Sequence, residues 1–279
     1  MNWKTIRAGL MAVLIVINIA LFWMNRLETD RLYLASDEDL DLILELYEEN
    51  GIYLGTILHR ESYPRAPLQL GGAEVLNREL VERILGNDYQ IAYMDARQSR
   101  YTKGEQTILM DPENHRMQYQ SADAKITAQT EEELKEWADQ LILTWFTDAA
   151  GLICTQTRNR QQSVQFVYCQ KKEGLYLYFN RVILQVQAGG GMSASVQYYK
   201  PGGYEDQKKE VRPLDELMYG AMKEIIRLKG EEEQITLTEI RSGYDRSSDG
   251  QCVYCIEFVL DNGKTVRMNG YTNEILSAA

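Results

Sequence analysis

Few residues in this sequence are of the types that do chemistry near neutral pH. There are two histidines, His59 and His115, and four cysteines, Cys154, Cys169, Cys252 and Cys255. Imidazoles act as general bases or metal ligands, and thiolates as nucleophiles or metal ligands, when partners stand at suitable spacing. Neither histidine has such a partner. His59 follows an apolar, strand-like run, and His115 sits beside the turn Asp111-Pro112-Glu113-Asn114, so both read as loop or edge residues. The sequence contains no G-x-S-x-G, H-E-x-x-H or phosphate-binding loop. Gly189-Gly190-Gly191 lacks the following helix and lysine of a phosphate loop and reads as a hairpin turn. Glu131-Glu132-Glu133 mimics a carboxylate cluster, but at a helix start these acids serve the cap and the dipole. No catalytic residue, metal ligand or cofactor site is assigned, and the chain is not read as an enzyme.

Three states are open to the cysteines. They are free thiols, one disulfide between Cys154 and Cys169 across a turn near Gln161-Gln162, or four thiolates on a metal. Cys252-Val-Tyr-Cys255 lies in a strand-like run, where residues three apart point to opposite faces, which disfavours a bond between those two.

The remaining candidate is an amide in an apolar run. Ala8 to Met24 is 17 residues without a charge, and Asn18 is its one strongly polar member. That length is the lower end for a membrane-spanning helix. Trp3 and Trp23 stand one hydrocarbon thickness apart, roughly 30 Å at about 1.5 Å per residue, and read as interfacial anchors. Lys4 and Arg7 precede the run with no acid nearby, which places the N-terminus in the cytoplasm and the rest outside. Large residues at the exit, Leu21 to Arg26, disfavour signal cleavage, so an uncleaved, single-pass signal anchor is expected. An amide among lipid tails is costly without a partner. Asn18 therefore either bonds its own helix or meets another transmembrane helix, with Met11, Leu14, Ile15 and Phe22 on its face.

The formal charge is −11. Lys4, Arg7 and Arg26, with no acid, give residues 1–26 a charge of +3, so the remainder carries −14. That disfavours nucleic acid and anionic lipid as partners of the outer part. Hydrophobic residues make up 44%, as in an ordinary globular chain.

Helices are predicted over Ser36–Asn50, Glu74–Leu85, Thr130–Ala149 and from Pro213 to Lys229, from apolar spacings of three and four. Strands are predicted at 52–59, 89–96, 106–110, 116–120, 152–157, 163–170, 175–179, 182–187, 194–199, 235–244, 252–260 and 265–271. Asp261-Asn262-Gly263 is a strong hairpin signal. Tyr63 to Leu70, with two prolines, reads as a loop. The expected fold is α+β: a transmembrane helix within residues 1–30, then two domains of helix plus antiparallel meander, 31–125 and 126–279.

Several stretches together resemble one family. Asn2-Trp3-Lys4 and the apolar run with Ile17-Asn18, the helix Asp37 to Glu49 closing in Asn50-Gly51-Ile52, Gly174 to Asn180 continuing to Gln187, Ile240-Arg241-Ser242-Gly243-Tyr244, and Gly263 to Ile275 are similar to the YycI-type (YycH/YycI) regulatory proteins. Asn273 stands where that family usually has glycine, and Gly270 where alanine is common. The resemblance implies a single-span membrane protein that associates with a sensor histidine kinase, alone or with a YycH-like partner. It would modulate the WalK/WalR two-component system of cell-wall metabolism. The alternative is an anchored extracellular PepSY-like module that binds peptide or inhibits a protease, indifferent to the helix sequence. A cell-wall enzyme is a further rival.

Overall fold

The computed structural model describes residues 17–19, 36–58, 63–71, 76–94, 97–124, 126, 128, 130–146 and 151–278. Among the described residues no helix is long and apolar enough to cross a membrane. The expected span, apart from residues 17–19, lies outside them.

Among the described residues, four helices start and stop for local reasons. In α1 (Asp37–Glu49) the Ser36 hydroxyl accepts from the Asp39 N–H at 3.0 Å, and three acids fill the first turn. Gly51, at φ 70°, turns the chain out. Asn77 caps α2 (Arg78–Leu85), and Gly86 ends it, also at φ 70°. The predicted capping box opens α3 (Glu131–Trp145): Thr130 and Glu133 each bond the other's backbone N–H. Pro213 precedes α4 (Leu214–Lys229), which ends at Gly230.

Fifteen strands connect them among the described residues: β1 (Ile52–Leu54), β2 (Leu68–Gly71), β3 (Gln90–Tyr93), β4 (Ser99–Lys103), β5 (Gln106–Asp111), β6 (Arg116–Ser121), β7 (Leu152–Arg160), β8 (Ser163–Lys172), β9 (Leu175–Gln187), β10 (Met192–Gln197), β11 (Lys200–Tyr204), β12 (Ile235–Arg246), β13 (Cys252–Leu260), β14 (Thr265–Asn269) and β15 (Ile275–Ala278). Thirteen form one sheet in the order β15-β14-β13-β12-β9-β10-β6-β5-β4-β3, with β8 on β9, β7 on β8 and β1 on β12. All pairings are antiparallel except β1–β12 and β9–β12. β2 and β11 make a separate pair.

The helices gather on one face of this sheet. α2 and α3 cover Ile108, Met117, Phe166, Val182 and Leu184. α1 and α4 cover Ile235, Leu237, Phe258, Val266 and Met268, and the buried Tyr47 hydroxyl donates to the Met218 carbonyl at 2.7 Å. Burying each such apolar side chain contributes about 2 kcal/mol. The β2–β11 pair lies against Leu177, Phe179 and Tyr244 on the same side. Among the described residues no helix covers the opposite face.

The fold is thus mixed α+β with a large, mainly antiparallel sheet. The expected join at 123–130 falls between strands of one sheet, because β6 pairs with β10 along Met192–Gln197. One core draws on residues 76–146 and 166–198, and another unites 43–52 with 214–268. Four strands, β2, β4, β11 and β15, escape the periodicity reading. β4 is short and polar, and β2 with β11 contains one proline and three glycines, so each exists only through its partner. β15, at the sheet edge, pairs with β14 through a register shift.

Candidate functional site

The uncovered face carries the polar chemistry. Asp261-Asn262-Gly263 sets the β13–β14 register, which places Glu257 opposite Arg267. β12 pairs so that Arg241 faces Glu257 from the other side, and β15 brings Ser277 opposite Arg267. The result is a cross-strand ladder, Ser277–Arg267–Glu257–Arg241. Alternating charges directly opposite one another favour this register.

Glu257 is buried at 3% exposure and is the centre of the ladder. It accepts from Arg267 Nη2 at 2.6 Å and from the Tyr178 hydroxyl at 3.0 Å, and Arg241 Nη1 lies 3.5 Å away. Arg267 also pairs with Asp245, and Arg241 with Glu239 at 2.7 Å. The Arg267 guanidinium lies 3.6 Å from the Tyr178 ring centroid, a cation–π contact. Burial and the Glu257 charge push the Tyr178 phenol far above its ordinary value, so it stays a donor. Arg267 stays charged because Glu257 and Asp245 outweigh its desolvation. The Nε atoms of both Arg241 and Arg267 are buried without a hydrogen-bond partner.

Gly243 makes this junction possible. A Cβ there would collide with the Tyr176 carbonyl oxygen and lie 2.8 Å from the Tyr178 ring. Asn180, fully buried, fixes the far end of the junction. Its amide accepts from the Tyr199 N–H at 2.6 Å and donates to the Tyr199 carbonyl at 2.9 Å. The sheet then curls until β7 meets the ladder: Arg241 Nη1 donates to the Thr155 carbonyl at 3.3 Å, and Gln156 to the Gly263 carbonyl. This encloses a cavity of ≈160 Å³. Its charged lining is Arg158, Arg181, Arg241, Arg267 and Glu257.

Of the states open to the cysteines, the structure has free thiols, and Cys154 and Cys169 are not bonded. Cys154 lies opposite Tyr168, whereas Cys169 lies opposite Ile153. Being one residue out of register, they point to opposite faces. Cys154 packs against the α2–α3 core, and Cys169 sits with Tyr176, Tyr178 and Cys255 on the uncovered face. All four are free thiols. Cys252 and Cys255 point to opposite faces, as their spacing predicts. Burial pushes the Cys169 thiol up to about 11 and the Cys252 thiol up to about 12. Such thiols are poor nucleophiles and poor metal ligands at neutral pH. Among the described residues no group of three or more histidine, cysteine or acidic side chains is placed to hold a metal.

His115 holds φ 54° in the β5–β6 turn, with its ring 4.2 Å from that of Tyr199. Asn18 lies within the helical residues 17–19 and is exposed there, beside exposed Ile17 and Ile19. Met11, Leu14, Ile15, Phe22, Trp3, Trp23, Lys4, Arg7 and His59 lie outside the described residues. Sequence reasoning missed the ladder. The available signal was the hairpin: counting outward from Asn262 pairs Glu257 with Arg267, two opposite charges five residues from the turn.

The class the fold and this face define is a mixed α+β chain built on one large, mainly antiparallel sheet with helices on a single side. No family model matches the chain, and no curated protein matches it. Solved structures do match. The Bacillus megaterium YpeB C-terminal domain is 14% identical, with a TM-score of 0.44, over 76% of this chain and 98% of that one. An uncharacterized protein from Eubacterium rectale is 9% identical, with a TM-score of 0.46, over 77% of this chain and 86% of that one.

Proposed function

We propose that the chain is a membrane-anchored, non-enzymatic accessory regulator of a sensor histidine kinase of the WalK/WalR type. Its N-terminus is cytoplasmic, and residues 27–279 form an extracellular interaction module. The observation that carries this reading is the N-terminal arrangement: a basic tail, an uncharged run of 17 residues between two tryptophans, and one amide inside it. The family resemblance supports it, and two of the stretches that carry that resemblance meet in space, Tyr176–Leu177 of β9 pairing with Gly243–Tyr244 of β12. The helix-free sheet face offers the outer part a contact surface. A regulator of this kind acts by binding one conformational state of the kinase better than the other.

The test is co-purification from the native membrane in mild detergent, with the full chain as bait. A control bait carries an unrelated apolar helix in place of residues 8–24. A histidine kinase is expected with the first bait and not the second. Asn18→Leu is expected to lower its recovery about fivefold, the value of roughly 1 kcal/mol from one interhelical amide bond. Recovery with both baits would move the contact to the outer part. Recovery with neither would overturn the kinase reading in favour of an anchored PepSY-like module that binds peptide or inhibits a protease.

A further inference from the structure

We propose that the cavity between β7, β8 and the β12–β15 ladder is a binding site for an organic carboxylate. Four guanidinium groups and one carboxylate line it, in a chain whose formal charge is −11. That excess of cations in the lining is the reverse of the charge balance of the chain as a whole. The ion pairs of Glu257, Asp245 and Glu239 are with the two inner arginines. Among the described residues no carboxylate pairs with Arg158 or Arg181 at the rim.

The inner arginines are themselves incompletely used. Arg241 and Arg267 each keep a buried Nε–H without an acceptor. A buried donor left unpaired is costly and normally finds a partner. The Nη atoms are held by protein acceptors: Asp245 and Glu257 on Arg267, and Glu239 and the Thr155 carbonyl on Arg241, with Glu257 3.5 Å away.

Size and floor narrow the class. At ~30 Å³ per water, ≈160 Å³ is room for about five waters. A carboxylate on a short chain fits this volume, and Val167 and Ile183 give the chain an apolar floor. Arg158 is half-buried, and burial together with Arg160 holds its guanidinium below its ordinary value. An incoming anion relieves both effects. A free dicarboxylate and the side chain of an acidic peptide present the same group.

Calorimetric titration of the full chain in detergent, at a constant ionic strength of about 0.15 M, separates these sources. The probes are succinate, an aspartate tripeptide with blocked termini, and sulfate as the non-carboxylate control. Saturable binding by succinate marks a small-molecule site, and saturable binding by the peptide alone marks a peptide site. Either result supports the assignment. The rim arginines, which hold no structural ion pair, are the residues to change. Arg158→Ala with Arg181→Ala is expected to weaken binding about tenfold or more, with an unchanged melting temperature, and the two lysine replacements are expected to fall between. No saturable binding by either carboxylate, sulfate binding as tight as succinate, or undiminished binding by the double variant would overturn the proposal. The readout needs no kinase, so its failure leaves the accessory-regulator reading standing, and the converse also holds.

Discussion

At the scale of single residues, Glu257 is the most consequential side chain on the uncovered face. It compensates two guanidiniums and accepts from a buried phenol. Glu257→Gln keeps the volume but leaves the guanidiniums without their shared charge. The expected loss is about 3 kcal/mol in urea unfolding, in the range for breaking a buried ion pair. His115 gives the chain a pH dependence of definite sign. Burial first, then Arg246, lowers its pKa, against a smaller opposing effect of Asp111. Its contribution to stability is therefore present above the unfolded value near 6.5 and is lost as pH falls through the folded value. The urea midpoint should drop as pH falls below about 6.5, and it should drop less in His115→Gln. Equal slopes in the two proteins would exclude His115 as the cause.

At the scale of elements, the junction of β9 with β12 decides whether the two halves of the sheet become one. It is a parallel contact of only two paired positions, Gly243–Tyr176 and Tyr244–Leu177. The close approach depends on the missing Cβ at Gly243. Gly243→Ala pushes against backbone, not a flexible side-chain tip, so a loss of about 2–3 kcal/mol is expected. Amide exchange should be fastest to rise in β9 and β12. A variant with wild-type stability and exchange would show that the junction is not a pinch point. Helix limits, by contrast, follow from nearby residues. Ser36 and the Thr130–Glu133 box cap as their sequence patterns predict, because capping is an exchange between residues three apart, whereas Asn77, expected inside a helix Glu74–Leu85, is the cap before Arg78.

At the scale of the whole molecule, the chain closes on itself from both ends. β1 and α1 complete the core of β12 and α4, and β3 to β6 extend the sheet from β10. Residues 126–279 expressed alone would lack Tyr47 and Ile52 over α4 and β12, and Met117 and Tyr119 beside β10. That fragment is expected to show no cooperative thermal transition, whereas the full chain does. A sharp transition in the fragment would establish it as an independent domain.

The sequence by itself determined what short range controls: four helices, the Ser36 and Thr130 caps, most of the strands, the Asp261–Gly263 hairpin, and the α+β class. It also determined that Cys252 and Cys255 diverge, because strand periodicity is strict within one element. The tertiary structure decided which strands are neighbours and therefore which side chains meet. The Arg241–Glu257–Arg267 ladder joins residues of three strands, and its cavity adds Arg158 and Arg181 from two more. Cys154 and Cys169 show the same limit, since their hairpin was legible but a one-residue difference in register placed them on opposite faces. Sequence spacing fixes the direction of each side chain along its own strand. Only pairing between strands fixes what stands across from it, and the chemistry of this protein lies in those cross-strand contacts.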